Sequence, residues 1–332
     1  MKRENGFNPE QDPGNLRGQQ PQSNETDLND NVGASYLEDP LGLLGEFAPP
    51  KQIELIKAID SAWVLNIEPY SAKDMEKIYG AGLTKEEKEK LAQSLRIFRE
   101  RGANPLENEI EKGPEYVRYV ALVNDILNDE LANLGVDKRS ELTVERYHLM
   151  SVSISEDETK RILGQSISLS ETVHLYGNHL AGKSPLQIIS VMLHEAIHAN
   201  AFERVVIKNG KHFSLRSGYE MNYEVEKGRL TGLNEAVVEK LTIELLEKNK
   251  DRLNEEFKFT DEDWENLAPC YTDQMDSLNK ILFLLHDRHK LSEGVVWEKF
   301  KKGEFTGQMI HLKEAIKILT PGEMSILETL FE

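Results

Sequence analysis

Two histidines four residues apart, with a glutamate directly after the first, form the segment His194-Glu195-Ala196-Ile197-His198. On an α-helix, residues i and i+4 project from one face, so both imidazoles can meet one ion while Glu195 lies beside it. Neutral imidazole nitrogens suit Zn²⁺, and three protein ligands leave a fourth position open for water. Zinc lowers the pKa of that water to about 7 and polarises a carbonyl. Glu195 is then placed to accept the water proton and pass it to a leaving amine. This is the layout of a zinc hydrolase, with Zn²⁺ as the expected cofactor.

A helix must carry the motif, and the preceding residues supply its start. Ser184-Pro185-Leu186-Gln187 has the form of a capping box with proline at the first helical position, where a missing N–H costs nothing. From there Ile188, Ile189, Val191, Met192 and Leu193 lead into His194. At about 3.6 residues per turn, Gln187, Ser190, His194 and His198 share one stripe, and apolar side chains cover the rest. A helix apolar nearly all round is buried, and buried histidines and glutamates need partners. A metal ion satisfies that need.

Two histidines do not close a zinc site. Downstream, Leu233-Asn234-Glu235-Ala236-Val237-Val238-Glu239 continues through Lys240–Leu246 as a second helix, with Glu235 and Glu239 one turn apart on one stripe. Glu235 could supply a carboxylate ligand and Glu239 could accept the second ring N–H of a ligating histidine. The other reading of these two acids is a solvated face of an amphipathic helix.

HExxH followed by Asn-Glu-x-x-x-acid resembles the gluzincins, the metallopeptidase group that includes thermolysin-like enzymes. The resemblance covers two short segments. It implies His194, His198 and Glu235 as zinc ligands, Glu195 as general base and Glu239 as the acid behind a ligand. The interval from His198 to Glu235 is longer than in thermolysin and matches gluzincins carrying an insertion there. No His-x-x-Gly-x-x-His continuation follows His198, which disfavours metzincins. No Gly-x-Met-Glu-Asn amine-recognition motif is present, which favours an endopeptidase over the familiar aminopeptidases. The implied fold is α+β: a zincin-like domain with a small mixed sheet, an active-site helix and a helical carboxyl-terminal part. The implied partner is a polypeptide substrate, held by backbone pairing along an edge strand.

Strand character falls at Tyr147 to Ile154, Ser166 to Leu169 and Thr172 to Tyr176, just before the motif helix. Val173, His174, Leu175 and Tyr176 are assigned as the substrate-binding edge. Val205-Val206-Ile207 and Phe213-Ser214-Leu215 read as a hairpin around Asn209-Gly210. Arg216 to Thr231 reads as a loop near the cleft. Peptide hydrolysis also needs a donor for the developing oxyanion; Tyr271 is the first candidate, before Tyr223, Tyr219 and His212. Tyr271 immediately precedes a helix expected to begin near Asp273.

The remaining sequence frames these segments. Residues 1–46 are rich in Asn, Gln, Gly, Pro and acids and read as a tail, with an apolar patch at Leu41, Leu43, Leu44 and Phe47. Residues 47–137 read as a helical amino-terminal region, with helices at Gln52 to Leu65, Lys73 to Tyr79, Lys85 to Glu100 and Pro114 to Leu134. Residues 138–332 form the expected metallopeptidase domain, with later helices at Met275 to Leu285, Val295 to Lys301 and Leu312 to Leu319. A net charge of −18 without a basic stretch argues against nucleic acid as partner. Cys270 is the single cysteine, which excludes intrachain disulfides and a cysteine-based zinc cluster. Met1-Lys2-Arg3 lacks a following apolar core and no apolar run reaches membrane-spanning length, so the expected location is the cytoplasm, with no membrane partner. Two other functions remain open: a non-enzymatic protein in which zinc fixes the helices, and a hydrolase of another bond, such as an ester.

Overall fold

A computed structural model describes residues 85–137, 142–151, 163–167, 170–208, 211–221, 230–323 and 325–331. The tail assigned to 1–46 and the helices expected at Gln52 to Leu65 and Lys73 to Tyr79 lie outside the described residues. The elements in chain order are α1 (Lys85–Gly102), α2 (Pro114–Leu134), β1 (Tyr147–Met150), β2 (Gly164–Ile167), β3 (Thr172–Tyr176), α3 (Gly177–Leu180) and α4 (Pro185–Asn200). Then come β4 (Glu203–Lys208), β5 (Lys211–Ser217), β6 (Glu220–Met221), α5 (Thr231–Lys248), α6 (Lys250–Phe257) and α7 (Asp261–Glu265). The chain closes with α8 (Thr272–His289), α9 (Glu293–Thr306), α10 (Ile310–Ile318) and α11 (Ser325–Phe331). The architecture is mixed α+β and mostly helical. Among the described residues no helix is long and apolar enough to cross a membrane.

The core grows from α2, α4 and α5. Along α2, Tyr116, Val120, Val123, Leu127, Leu131 and Leu134 recur at spacings of three and four and are all buried. Proline at its first turn and Gly135 in the left-handed conformation after its end fix its two boundaries. This face packs on α4, which in turn packs on α5. The apolar cluster runs without a break from Tyr116 through Ile197 and Leu241 to Leu330. α2 therefore shares one core with the helices of the 138–332 segment.

Burial of α2, α5 and α9 brings charged groups inward as a network. Lys301 Nζ on α9 lies 2.6 Å from Glu130 Oε1 on α2 and 3.0 Å from Glu244 Oε1 on α5. Lys248 Nζ approaches the same two carboxylates at 3.3 and 2.6 Å, and Trp297 Nε1 donates to Glu244 Oε2. Burial alone would raise the Glu244 pKa, but Lys248, Trp297 and Lys301 outweigh it and hold it near 2. Three helices are thus joined by side chains as well as by apolar packing.

The sheet preceding α4 has the order β1-β3-β2, with β1 parallel and β2 antiparallel to β3. The assignment of Val173, His174, Leu175 and Tyr176 as an edge is therefore corrected: β3 is the central strand. Both rows of its backbone groups face a neighbouring strand, and Val173 and Leu175 have no exposure at all. Proline in place of Leu175 would break the sheet, because it removes a ladder hydrogen bond from a central strand. Among the described residues β1 and β2 are the outer strands, and β2 packs directly against α4. The second sheet, β4-β5-β6, begins with the expected hairpin, whose register ends at Lys208 opposite Lys211; Asn209 and Gly210 lie outside the described residues. In the expected loop from Arg216 to Thr231, Arg216 and Ser217 complete β5 and pair with β6, while 222–229 lie outside the described residues.

Candidate metal centre

α4 starts where its capping residues dictate. Ser184 Oγ accepts the Gln187 N–H at 3.3 Å, and Gln187 Oε1 accepts the Ser184 N–H at 3.0 Å. Two otherwise unpaired donors are satisfied, and the entry angle of the helix is set. His194 and Glu195 then arrive in the interior with 8% and 9% of their surface exposed. α5 lies alongside, with Asn234, Glu235 and Glu239 turned toward the same place.

Three atoms converge there. His194 Nε2 is 3.1 Å from His198 Nε2 and 3.2 Å from Glu235 Oε2, which is 3.5 Å from His198 Nε2. Ligand atoms about 2.0–2.1 Å from one tetrahedral ion stand about 3.3 Å apart, so these separations fit a single small cation. His194, His198 and Glu235 form the one His/Cys/Asp/Glu group among the described residues that could hold a metal ion. The donor set, two imidazoles and a carboxylate, suits a borderline divalent metal.

The surroundings orient these groups. Glu239 Oε2 accepts from His194 Nδ1 at 3.0 Å, and Glu239 Oε1 accepts the Cys270 N–H at 2.8 Å. His194 is thereby held with Nε2 facing Glu235. Asn234 Nδ2 lies 3.3 Å from His198 Nδ1, and Asn234 Oδ1 accepts the Tyr219 N–H at 2.7 Å. Burial alone would lower the pKa of His194, but Glu235 and Glu239 outweigh it and raise the pKa well above the usual histidine value. For His198, Glu235 likewise prevails over burial. Burial would raise the Glu235 pKa, yet His198 and His194 pull it far below the carboxylate range.

Glu195 sits beside the cluster without joining it. Burial raises its pKa against the opposing pull of the two histidines, and the Ser166 N–H of β2 bonds to it. The close approach of β2 depends on Gly164: a Cβ there would lie 2.9 Å from Glu195 Cγ and 3.0 Å from both Leu175 and Val191. Any side chain would push the strand off the helix.

Of the two candidate oxyanion donors whose side chains are among the described residues, Tyr271 and Tyr219, Tyr271 is placed at the cluster. It stands at the amino-terminal end of α8, its ring stacked on His194 with centroids 5.8 Å apart, and its hydroxyl bonds to Glu235. Burial, with Glu235 and Glu195 nearby, raises its pKa, so the phenol stays protonated. Tyr219 is directed elsewhere: its hydroxyl donates to the Phe300 carbonyl and meets His311 Nε2. Tyr223 and the side chain of His212 lie outside the described residues.

Comparison with protein-family models, with curated proteins and with solved structures returned no match.

Reading of the sequence passed over several groups at this site. Asn234 was legible as part of a motif but without a task. Glu304 on α9 was hidden among Phe300, Phe305 and two glycines; an acid flanked by aromatic residues on one helix was the available signal. It has no exposure, and the Tyr219 N–H lies beside its carboxyl group. Burial pushes its pKa up to about 7, against the opposing influence of His198 and Arg216.

The Glu304 shift has a defined sign. The unfolded chain ionises this group near 4.5 and the folded chain near 7, so stability falls as pH rises through that window and is level above it. Glu304→Gln removes the ionisation. Zinc-free Glu304→Gln protein is expected to match the native chain at pH 4.5 and to exceed it by up to about 3 kcal/mol at pH 8 in urea unfolding. An equal difference at both pH values would show that Glu304 does not titrate in this range.

Proposed function

We propose that this chain is a zinc-dependent peptide hydrolase with a zincin-like arrangement, acting as an endopeptidase. The observation that carries the reading is the convergence of His194 Nε2, His198 Nε2 and Glu235 Oε2 beside a buried glutamate that does not join them. A purely structural metal site has no use for Glu195. When bound, the cation supplies acidified water and polarises a carbonyl.

The chain's own residues divide the remaining work. Glu195, held by the Ser166 N–H, accepts the proton of the attacking water and delivers it to the departing amine. Tyr271, neutral and poised over His194, donates a hydrogen bond to the developing oxyanion. Glu239 holds His194, and the outer strand β2 offers backbone groups next to Glu195 for an extended polypeptide. β2 thus takes the role that the sequence pattern had assigned to β3.

The test is cleavage of a diverse peptide library by native and Glu195→Gln protein, each with zinc and with chelator. Cleavage that requires both zinc and Glu195 is the expected result; zinc binding without any cleavage would leave only a structural site or a different scissile bond. A second variant addresses the donor. Tyr271→Phe should lower kcat about 100-fold, because one oriented oxyanion donor is worth roughly 3 kcal/mol, while zinc affinity changes little. An unaltered kcat would remove Tyr271 from the mechanism.

A further inference from the structure

Behind His198 lies a conflict of hydrogen-bond donors. The Asn234 carboxamide is pinned by the Tyr219 N–H, which can only donate and bonds to Oδ1. Asn234 Nδ2 therefore faces His198 Nδ1. An amide NH₂ also only donates, so this contact requires a bare Nδ1 and puts the ring proton on Nε2. Ligation through Nε2 demands the opposite: Nε2 bare and Nδ1 protonated, with an acceptor to receive it.

The structure contains an acceptor that resolves the conflict. Glu304 is fully buried, and the Tyr219 N–H, although bonded to Asn234 Oδ1, already reaches its carboxyl group. It lies against the same peptide as Asn234: a Cβ on Gly218 would stand 2.1 Å from Glu304 Oε1 and 2.5 Å from Asn234 Oδ1. Only glycine admits two acceptors so close, and its φ of +54° also suits glycine. The peptide itself is anchored, because the Gly218 N–H bonds to the Phe202 carbonyl at 2.6 Å and Arg216 Nε donates to the Gly218 carbonyl at 2.8 Å. Glu304 is anchored too, since its carbonyl accepts the Phe202 N–H at 2.8 Å, two residues past the end of α4. Side chains, rather than backbone, are left to rearrange.

We propose that Glu304 is a positioning residue for the metal centre. On zinc binding the Asn234 carboxamide turns over, its oxygen accepts His198 Nδ1–H, and the Tyr219 N–H passes from Asn234 to Glu304. Without Glu304 the turned amide would face the Tyr219 N–H donor to donor, and a buried N–H would lose its acceptor. The proposal rests on the metal-site reading above but not on peptide hydrolysis.

The experiment uses the full chain labelled with ¹⁵N, with Zn²⁺ alone as the probe. Long-range ¹H–¹⁵N correlation spectra should show His198 carrying its proton on Nε2 with chelator and on Nδ1 with zinc, and the Tyr219 amide resonance should shift in step. Glu304→Gln keeps an acceptor and should bind zinc within about threefold of the native chain. Glu304→Met keeps the length but not the acceptor, and should bind zinc about 10–100-fold more weakly while its chelator-treated form unfolds at no lower temperature. That combination separates positioning from a merely structural role. Native-like zinc affinity in Glu304→Met, or a Tyr219 amide indifferent to zinc, overturns the proposal. Should the Met variant fail to fold, the Gln variant and the native spectra decide it. A native chain that binds no zinc overturns both this proposal and the functional reading; the proton shift on His198 without peptide cleavage supports the proposal and defeats only the hydrolase.

Discussion

Glu195→Gln protein is expected to bind zinc within about twofold of the native chain and to lose roughly 10²–10⁴-fold in kcat, the range for removing a positioned general base. In barrier height that is about 3–5 kcal/mol. The two halves of the result have separate causes. Glu195 is not among the three converging atoms, and glutamine keeps the shape and one oxygen to accept the Ser166 N–H, so the cluster has no reason to move. What glutamine cannot do is take a proton. The native pH profile should carry the same signature: activity falls as pH drops and Glu195 takes up a proton. Metal content by mass spectrometry and peptide cleavage by chromatography check the two halves independently. A variant retaining a tenth or more of native kcat would exclude Glu195 as the base.

The legible parts of this molecule are those written in short stretches of chain. The start of α4 lies in four residues, Ser184 to Gln187, whose side chains bond to each other's backbone. The pairing of His194 with His198, and of Glu235 with Glu239, follows from one turn of helix, and the β4–β5 hairpin from its central Asn-Gly. The order of the first sheet is different in kind. Thr172–Tyr176 reads correctly as a strand, but whether it lies at an edge depends on β1, whose residues pair with it from 26 positions earlier in the chain. Strand alternation reports which face is buried and nothing about which neighbour is present. Asn234, Tyr219 and Glu304 fall under the same limit. Their association is carried by the Gly218 turn and by the packing of α9 on α5, and no local pattern joins residues 219, 234 and 304. Two short segments suffice to name His194, His198 and Glu235, which the fold brings together; the layer behind them is set only in three dimensions.

Lys301→Met should cost about 3 kcal/mol of stability in urea unfolding, the low end of the range for leaving a buried ion pair without one partner. Lys301 is 7% exposed and Glu130 3% exposed, so the carboxylate left behind cannot regain solvent. The cost stays at the low end because Lys248 still reaches Glu130 and Glu244. Lys248 has a side chain 48% exposed, and Lys248→Met should therefore cost no more than about 1 kcal/mol. Replacing both members, Glu130→Leu with Lys301→Met, should recover most of the loss, since no buried charge then lacks its partner on that side. The consequence for the metal centre follows from where the network sits. Glu244 lies on the helix that presents Glu235 and Glu239, and Lys301 lies one turn before Glu304 on α9. Zinc held by the proposed site would bind the folded chain only, so at about 100 times its Kd it should return about 2.7 kcal/mol to the Lys301→Met protein, nearly the whole deficit. A Lys301→Met chain no less stable than the Lys248→Met chain would mean that the network adds nothing to the joining of α2, α5 and α9, and that apolar packing alone holds the two ligand-bearing helices in register.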